Sequence, residues 1–143
     1  MNYLDANTWI GAWPFTFCDS HTARSLQTHL KRHGIQRALV SPLGAVLAPA
    51  PGPANRELLR TTRGLAGLIP VPVINPALAN WREELALVAA DTRVRAVRIL
   101  PNYHGYRLRA RAVNELVAAL TARDLRLIVQ MRLIDHRHEY HAM

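Results

Sequence analysis

The chain has 143 residues, half of them apolar and 20% charged, and a single cysteine. That length and balance suit one globular domain with a hydrophobic core, and they exclude a disordered chain or an internal disulfide framework. The formal net charge is +8, yet every basic residue except Lys31 is arginine, and the arginines are scattered without runs or interleaved aromatics. Such scatter argues against a nucleic-acid surface. No stretch reaches the roughly 18 apolar residues of a membrane helix, and the N-terminus lacks a basic-then-apolar signal pattern. The expectation is a cytoplasmic protein with neither membrane nor nucleic acid as a partner.

Extended and helical patterns alternate along the chain. Tyr3 to Ile10 reads as a strand, followed by the loop Gly11-Ala12-Trp13-Pro14. A helix is expected from Thr22 to His33, with Thr22 as its cap, Ala23, Leu26 and Leu30 as an apolar stripe, and Gly34 as a left-handed stop. Arg37 to Ser41 is a second strand. The Ala/Pro/Gly-rich segment Pro42 to Pro53 is long for a connection of this kind, which suits either a lid or a plain insertion. Asn55 to Arg63 reads as a helix and Leu68 to Ile74 as a third strand. In that strand Pro70 and Pro72 remove two ladder donors and tell against a central position. Asn80 to Ala90 forms the third helix, with Trp81, Leu85 and Val88 on one face. Val94 to Leu100 is the fourth strand. Arg111 to Arg123 is the fourth helix, with Val113, Leu116, Val117 and Leu120 facing inward, and Arg126 to Leu133 is the fifth strand. A polar segment, Asp135 to Met143, follows. The pattern is an α/β fold in a single domain over residues 1–143, with about five parallel strands alternating with four helices. Periodicity does not separate a doubly wound sheet from a partial barrel, and no G-x-G-x-x-G or Walker pattern follows any strand.

Several segments carry a family likeness. Leu4-Asp5-Ala6-Asn7-Thr8-Trp9-Ile10-Gly11 resembles the first strand of amidohydrolase-related proteins of the amidohydrolase superfamily, whose usual form is Asp-x-His-x-His-x-Gly. Trp13-Pro14-Phe15, His33 to Val40, Ile74-Asn75-Pro76 and Val97 to Tyr106 are similar to later landmarks of that family, in the same order. The resemblance implies a partial (β/α)8 TIM barrel, represented here by its first five units, and hydrolase, lactonase or decarboxylase chemistry at the barrel mouth. In the family both first-strand histidines bind a metal; their positions hold Asn7 and Trp9 here, and Gln130 stands where the fifth strand usually offers another histidine. A carboxamide is a poor ligand for transition metals and an indole is none, so a metal-independent site without cofactor is expected. A full barrel takes about 250 residues, so the family's later histidine and eighth-strand aspartate have no counterpart. A homo-oligomer, or a partner chain that supplies the missing strands, is expected in consequence.

Strand alternation groups the candidate site residues. Asp5, Asn7 and Trp9 share one parity on the first strand, Arg98, Leu100 and Asn102 on the fourth, and Gln130 and Arg132 on the fifth. The family likeness turns these toward the barrel axis. Arg98 and Arg132 would orient a small carboxylate or lactone, with Asn102, Tyr106 and Trp9 also on the substrate. Asn7 and Gln130 would hydrogen-bond the reacting carbonyl, and His104 would move protons. Two bland alternatives stand beside these roles: a buried Asp5–Arg98 ion pair, and a His104 that only bonds a backbone carbonyl. Asp135 and Arg137 match an Asp-x-Arg element that follows the family's fifth strand, which implies substrate binding or loop shaping. The tail histidines His136, His138 and His141 lack supporting ligands for a metal cluster, and Cys18 has no basic neighbours to make it a nucleophile. The competing expectation is a non-catalytic barrel remnant that serves as a binding or assembly module, or one half of a split barrel completed by another chain.

Overall fold

The computed structural model describes residues 3–15 and 21–131. The five strands are β1 (Tyr3–Ile10), β2 (Ile35–Pro42), β3 (Leu68–Pro70), β4 (Ala96–Ile99) and β5 (Arg126–Val129). The helices are α1 (Ala23–Arg32), α2 (Gly44–Leu47), α3 (Gly52–Thr61), α4 (Trp81–Ala89), α5 (Pro101–His104) and α6 (Arg111–Thr121). This is a mixed α/β fold. Every strand pairing is parallel, and β1-β2-β3 form one sheet and β4-β5 another. Among the described residues no helix is long and apolar enough to cross a membrane.

Local sequence explains most boundaries. Thr22 caps α1, its hydroxyl accepting from the Ser25 amide while the Ser25 hydroxyl accepts from the Thr22 amide. Gly34, at φ +72°, takes the left-handed turn that follows α1. The stripes read from periodicity are buried: Ala23, Leu26 and Leu30 pack with Ala38, Val40 and Leu58, while Trp81, Leu85 and Val88 pack with Val97, Ile99, Val113, Leu116 and Leu120. Val117 departs from expectation and is 42% exposed, because it lies at the margin of a stripe centred on Val113, Leu116 and Leu120. Two segments expected as loops contain single helical turns, α2 within 42–53 and α5 within 101–104. Gly105, at φ +70°, ends the latter.

The third strand is where expectation and structure part most. It ends at Pro70 rather than Ile74, and it is the edge strand of its three-stranded sheet, in keeping with the two prolines; the residues that follow it run between β2 and β4. The Val71 amide donates to Val40 of β2, whereas the Ile74 amide donates to Arg98 of β4. Residues 70 and 72 share the latter direction, and both are prolines without an amide proton. The ladder to β4 therefore shrinks to one bridge, Val73 with Arg98, in which Arg98 donates to the Pro72 carbonyl and accepts from Ile74. The prolines leave β3 at the edge of its sheet, and the β4-β5 sheet is joined to it through that bridge.

Side chains take over where the ladder fails. Asn55 of α3, fully buried, accepts from the Val73 amide and donates to the Val73 carbonyl, each at 2.8 Å. Ser41 donates to the Val71 carbonyl at 2.8 Å. Buried backbone groups without partners are costly, so Asn55 acts as a backbone surrogate. Replacing Asn55 with Ala should destabilise the chain by about 2–4 kcal/mol, since two buried groups lose their partners. The urea midpoint of that variant, beside an exposed control such as Ala86→Ser, measures it.

Candidate functional site

The face of the strands turned away from α1, α3, α4 and α6 gathers residues from β1, β4 and β5. An irregularity in β1 decides who joins. Asp5 lies opposite Ala38 and Thr8 opposite Val40, so β1 spends three steps where β2 spends two. This bulge is held by the Asn7 amide donating to Asp5 Oδ1 at 2.9 Å and by Thr8 Oγ1 donating to the Leu39 carbonyl at 2.9 Å. The extra residue inverts the alternation. Asp5 falls in register with Ala38, on the side that Val40 and Thr8 share, while Asn7 and Trp9 emerge on the other. The buried Asp5–Arg98 ion pair is therefore not made: among the described residues Arg98 has no carboxylate partner.

Arg98 is fully buried and forms the centre of the site. Its Nη1 donates to Asn7 Oδ1 at 2.5 Å and to Gln130 Oε1 at 3.1 Å. Its guanidinium carbon lies 4.4 Å from the centroid of the Trp9 ring. Both acceptors are neutral carboxamides, which solvate the charge without cancelling it; the indole face adds a weak attraction. Burial pulls the Arg98 pKa down to about 10, so the group is still a cation at neutral pH. Among the described residues Arg98 Nε and Nη2 have no hydrogen-bond partner, and neither does the buried Trp9 Nε1.

The two unpartnered arginine nitrogens form one edge of the guanidinium. Elsewhere in the same chain that edge grips carboxylates. Arg60 Nε and Nη2 donate to the two Glu57 oxygens at 2.8 and 2.6 Å, and Arg93 does the same to Asp91 at 2.9 and 2.6 Å. A planar fork of this kind matches a carboxylate bidentately. At Arg98 the fork is buried, charged and unmatched.

The other candidates divide. Asn102 donates to the Met131 carbonyl at 2.7 Å and so ties α5 to the residue after Gln130. Tyr106 packs against the Ile74 and Trp81 cluster, and burial pushes its phenol well above the ordinary value, with the Leu100 backbone acting in the opposite direction. His104 Nε2 lies 2.8 Å from the Ala45 carbonyl, so it carries the proton, and Nδ1 is buried without a partner. The backbone bond foreseen as the bland alternative for His104 is thus made, with its acceptor on α2. Nothing in the sequence marked Ala45 for this contact. Arg132, Asp135, Arg137, the three tail histidines and Cys18 lie outside the described residues. Among those described, no three His, Cys, Asp or Glu side chains converge as a metal site. A mainly apolar cleft of about 350 Å³ between α1 and α3, lined by Ile10, Pro42, Ala54 and Leu58, contains none of the candidates.

Comparison with family models, curated proteins and solved structures found no match to this chain.

His104 gives the site a pH signature. Burial lowers its pKa below 6.5, with the Ala45 carbonyl acting in the opposite direction. Between the lowered folded value and 6.5 the unfolded chain takes up a proton that the folded chain refuses. Stability from this group is complete above 6.5 and is lost as pH falls through that window. The urea midpoint should therefore drop between about pH 7.5 and about pH 5, and His104→Gln should flatten the drop. An unchanged slope in the variant would assign it to other groups.

Proposed function

We propose that the chain is a metal-independent protein of the amidohydrolase-related kind that binds a small carboxylate or lactone at Arg98, on the first five units of a (β/α)8 barrel. One observation carries the reading: a fully buried arginine whose Nε/Nη2 fork has no partner and whose charge no carboxylate offsets among the described residues. Burying such a cation among neutral groups costs several kcal/mol, and an anionic ligand on the fork offsets that cost. Asn7 and Gln130 hold Nη1 from the side, which orients the fork. The barrel reading is supported by parallel strands that follow one another in chain order, joined across the gap at Val73 and Arg98. It is also supported by the position of Trp9 and Gln130 at the C-terminal ends of β1 and β5, where barrel sites lie.

Hydrolase, lactonase or decarboxylase chemistry extends the same reading. Because the Asn7 oxygen accepts from Arg98, what Asn7 offers a substrate carbonyl is its amide N–H. His104, held neutral with its proton on Nε2, supplies a basic Nδ1 as proton acceptor.

Calorimetric titration with acetate, lactate and benzoate tests the binding. The wild type should take up a small carboxylate, and Arg98→Met should weaken it by about 30-fold or more, corresponding to roughly 2–4 kcal/mol for a desolvated anion. The same variant should be as stable as the wild type or more so, by up to about 4 kcal/mol, since it removes an uncompensated buried charge. Unchanged affinity, or a variant that unfolds readily, would show Arg98 to be structural.

A second reading, an assembly module completed by a second copy or another chain, is favoured by the strand edges. Among the described residues β1 and β5 are each paired on one side only, and Tyr3, Leu4, Val129 and Met131 are 55%, 49%, 41% and 42% exposed. Bare apolar edges recruit strands. Sedimentation should give a mass that rises with concentration; a constant mass near 16.1 kDa would remove this reading and leave the binding one intact.

A further inference from the structure

We propose that the C-terminal turn of α1 carries a two-imidazole site for a divalent transition-metal ion, formed by His29 and His33 and separate from the Arg98 site. The two residues stand four apart, one turn of helix, and both are exposed. Their ring centroids are 4.7 Å apart. A metal–imidazole bond of about 2.0–2.1 Å puts the ion about 3.2 Å from each ring centroid, so two cis imidazoles at about 90–109° have centroids roughly 4.5–5.2 Å apart. The observed spacing falls inside that window. The interplanar angle of 49° leaves the remaining adjustment to rotation about each Cβ–Cγ bond, which turns a nitrogen inward and moves the centroid little. No hydrogen bond of either ring competes for its nitrogens among the described residues.

The helix supplies the preorganisation. Ala23, Leu26 and Leu30 of α1 are buried in the core, so His29 on the outer face is fixed by packing on the inner one, and His33, the residue that caps the helix, is held by its amide donating to the Leu30 carbonyl at 3.1 Å. Holding two ligands in place before the ion arrives removes part of the ordering cost. Histidines at this spacing on one helical face are a recurring zinc-binding arrangement. The class of ion follows from the donors. Imidazole suits zinc, copper and nickel, whereas magnesium and calcium require oxygen ligands. With Lys31 and Arg32 between the histidines and no acidic residue in the turn, the site has neutral ligands and no countercharge. It therefore selects ions high in the affinity order for nitrogen donors, copper and nickel above manganese and iron. The ion's other positions remain open to water or to a donor from outside the chain.

Folding linkage gives a readout specific to this geometry. The pair is preorganised only in the folded helix, so a bound ion stabilises the fold, whereas uptake by the tail histidines His136, His138 and His141 is common to every chain compared. Urea unfolding of the full chain is followed with nickel chloride and with EDTA, for the wild type, His29→Gln, His33→Gln and the double variant. Free nickel at ten times its dissociation constant should raise the folding equilibrium constant of the wild type about tenfold. Each single variant should lose most of that gain while unfolding like the wild type in EDTA. Proton spectra with trace copper should broaden the His29 and His33 ring signals together. A nickel shift that survives in the double variant, a wild type that nickel does not stabilise, or broadening that spares either ring would overturn the proposal.

Discussion

The guanidinium of Arg98 is the group around which the described structure is arranged. Among the described residues its backbone forms the one bridge between the two sheets, accepting from Ile74 and donating to Pro72. Its side chain crosses to β1 and β5, where Asn7 and Gln130 meet one nitrogen and Trp9 covers the plane. One residue thus links the first strand, the middle gap and the last strand. A cation in that position constrains its neighbours strongly. They must supply oxygen acceptors and an aromatic face, because a buried charge left without solvation costs far more than a typical neutral hydrogen bond returns.

The two prolines of the third strand make that residue decisive. Had residues 70 and 72 carried amide protons, β3 and β4 could have paired along their length and the sheet would have been continuous. Their absence leaves backbone groups on both sides to be satisfied by other means. Asn55 and Ser41 do so on the β2 side, and the Arg98 peptide does so on the β4 side. The helices, whose apolar stripes are conventional, hold the opposite face of the strands and leave this one for polar side chains.

Much of this was legible in the residues. The succession of strands and helices, the Thr22 cap, the Gly34 stop and the buried stripes of α1, α4 and α6 all follow from short-range periodicity and capping chemistry. Parity grouped Asn7 with Trp9 on the first strand, the family likeness turned both toward Arg98 and Gln130, and those four do meet. Parity failed for Asp5, two residues before Asn7, because simple alternation assumes an unbroken strand and β1 contains a bulge. It also could not say that Tyr106 would turn toward the helix-side core while its neighbour His104 would reach α2, since both lie within a few residues of one turn.

What the sequence by itself determined is therefore the order and type of the elements and the chemical inventory of the site: an arginine, two carboxamides and an indole, and prolines where a strand would donate. These properties reside in single residues and their near neighbours. Only the tertiary structure decided which of those groups meet. The bulge turned Asp5 away, the divided ladder made Arg98 the bridge, and packing set the Arg98 fork in the interior without a carboxylate. Each of these depends on contacts between residues roughly 25 to 90 positions apart, and the free energy of a buried charge is set by the groups that surround it, not by its place in the chain.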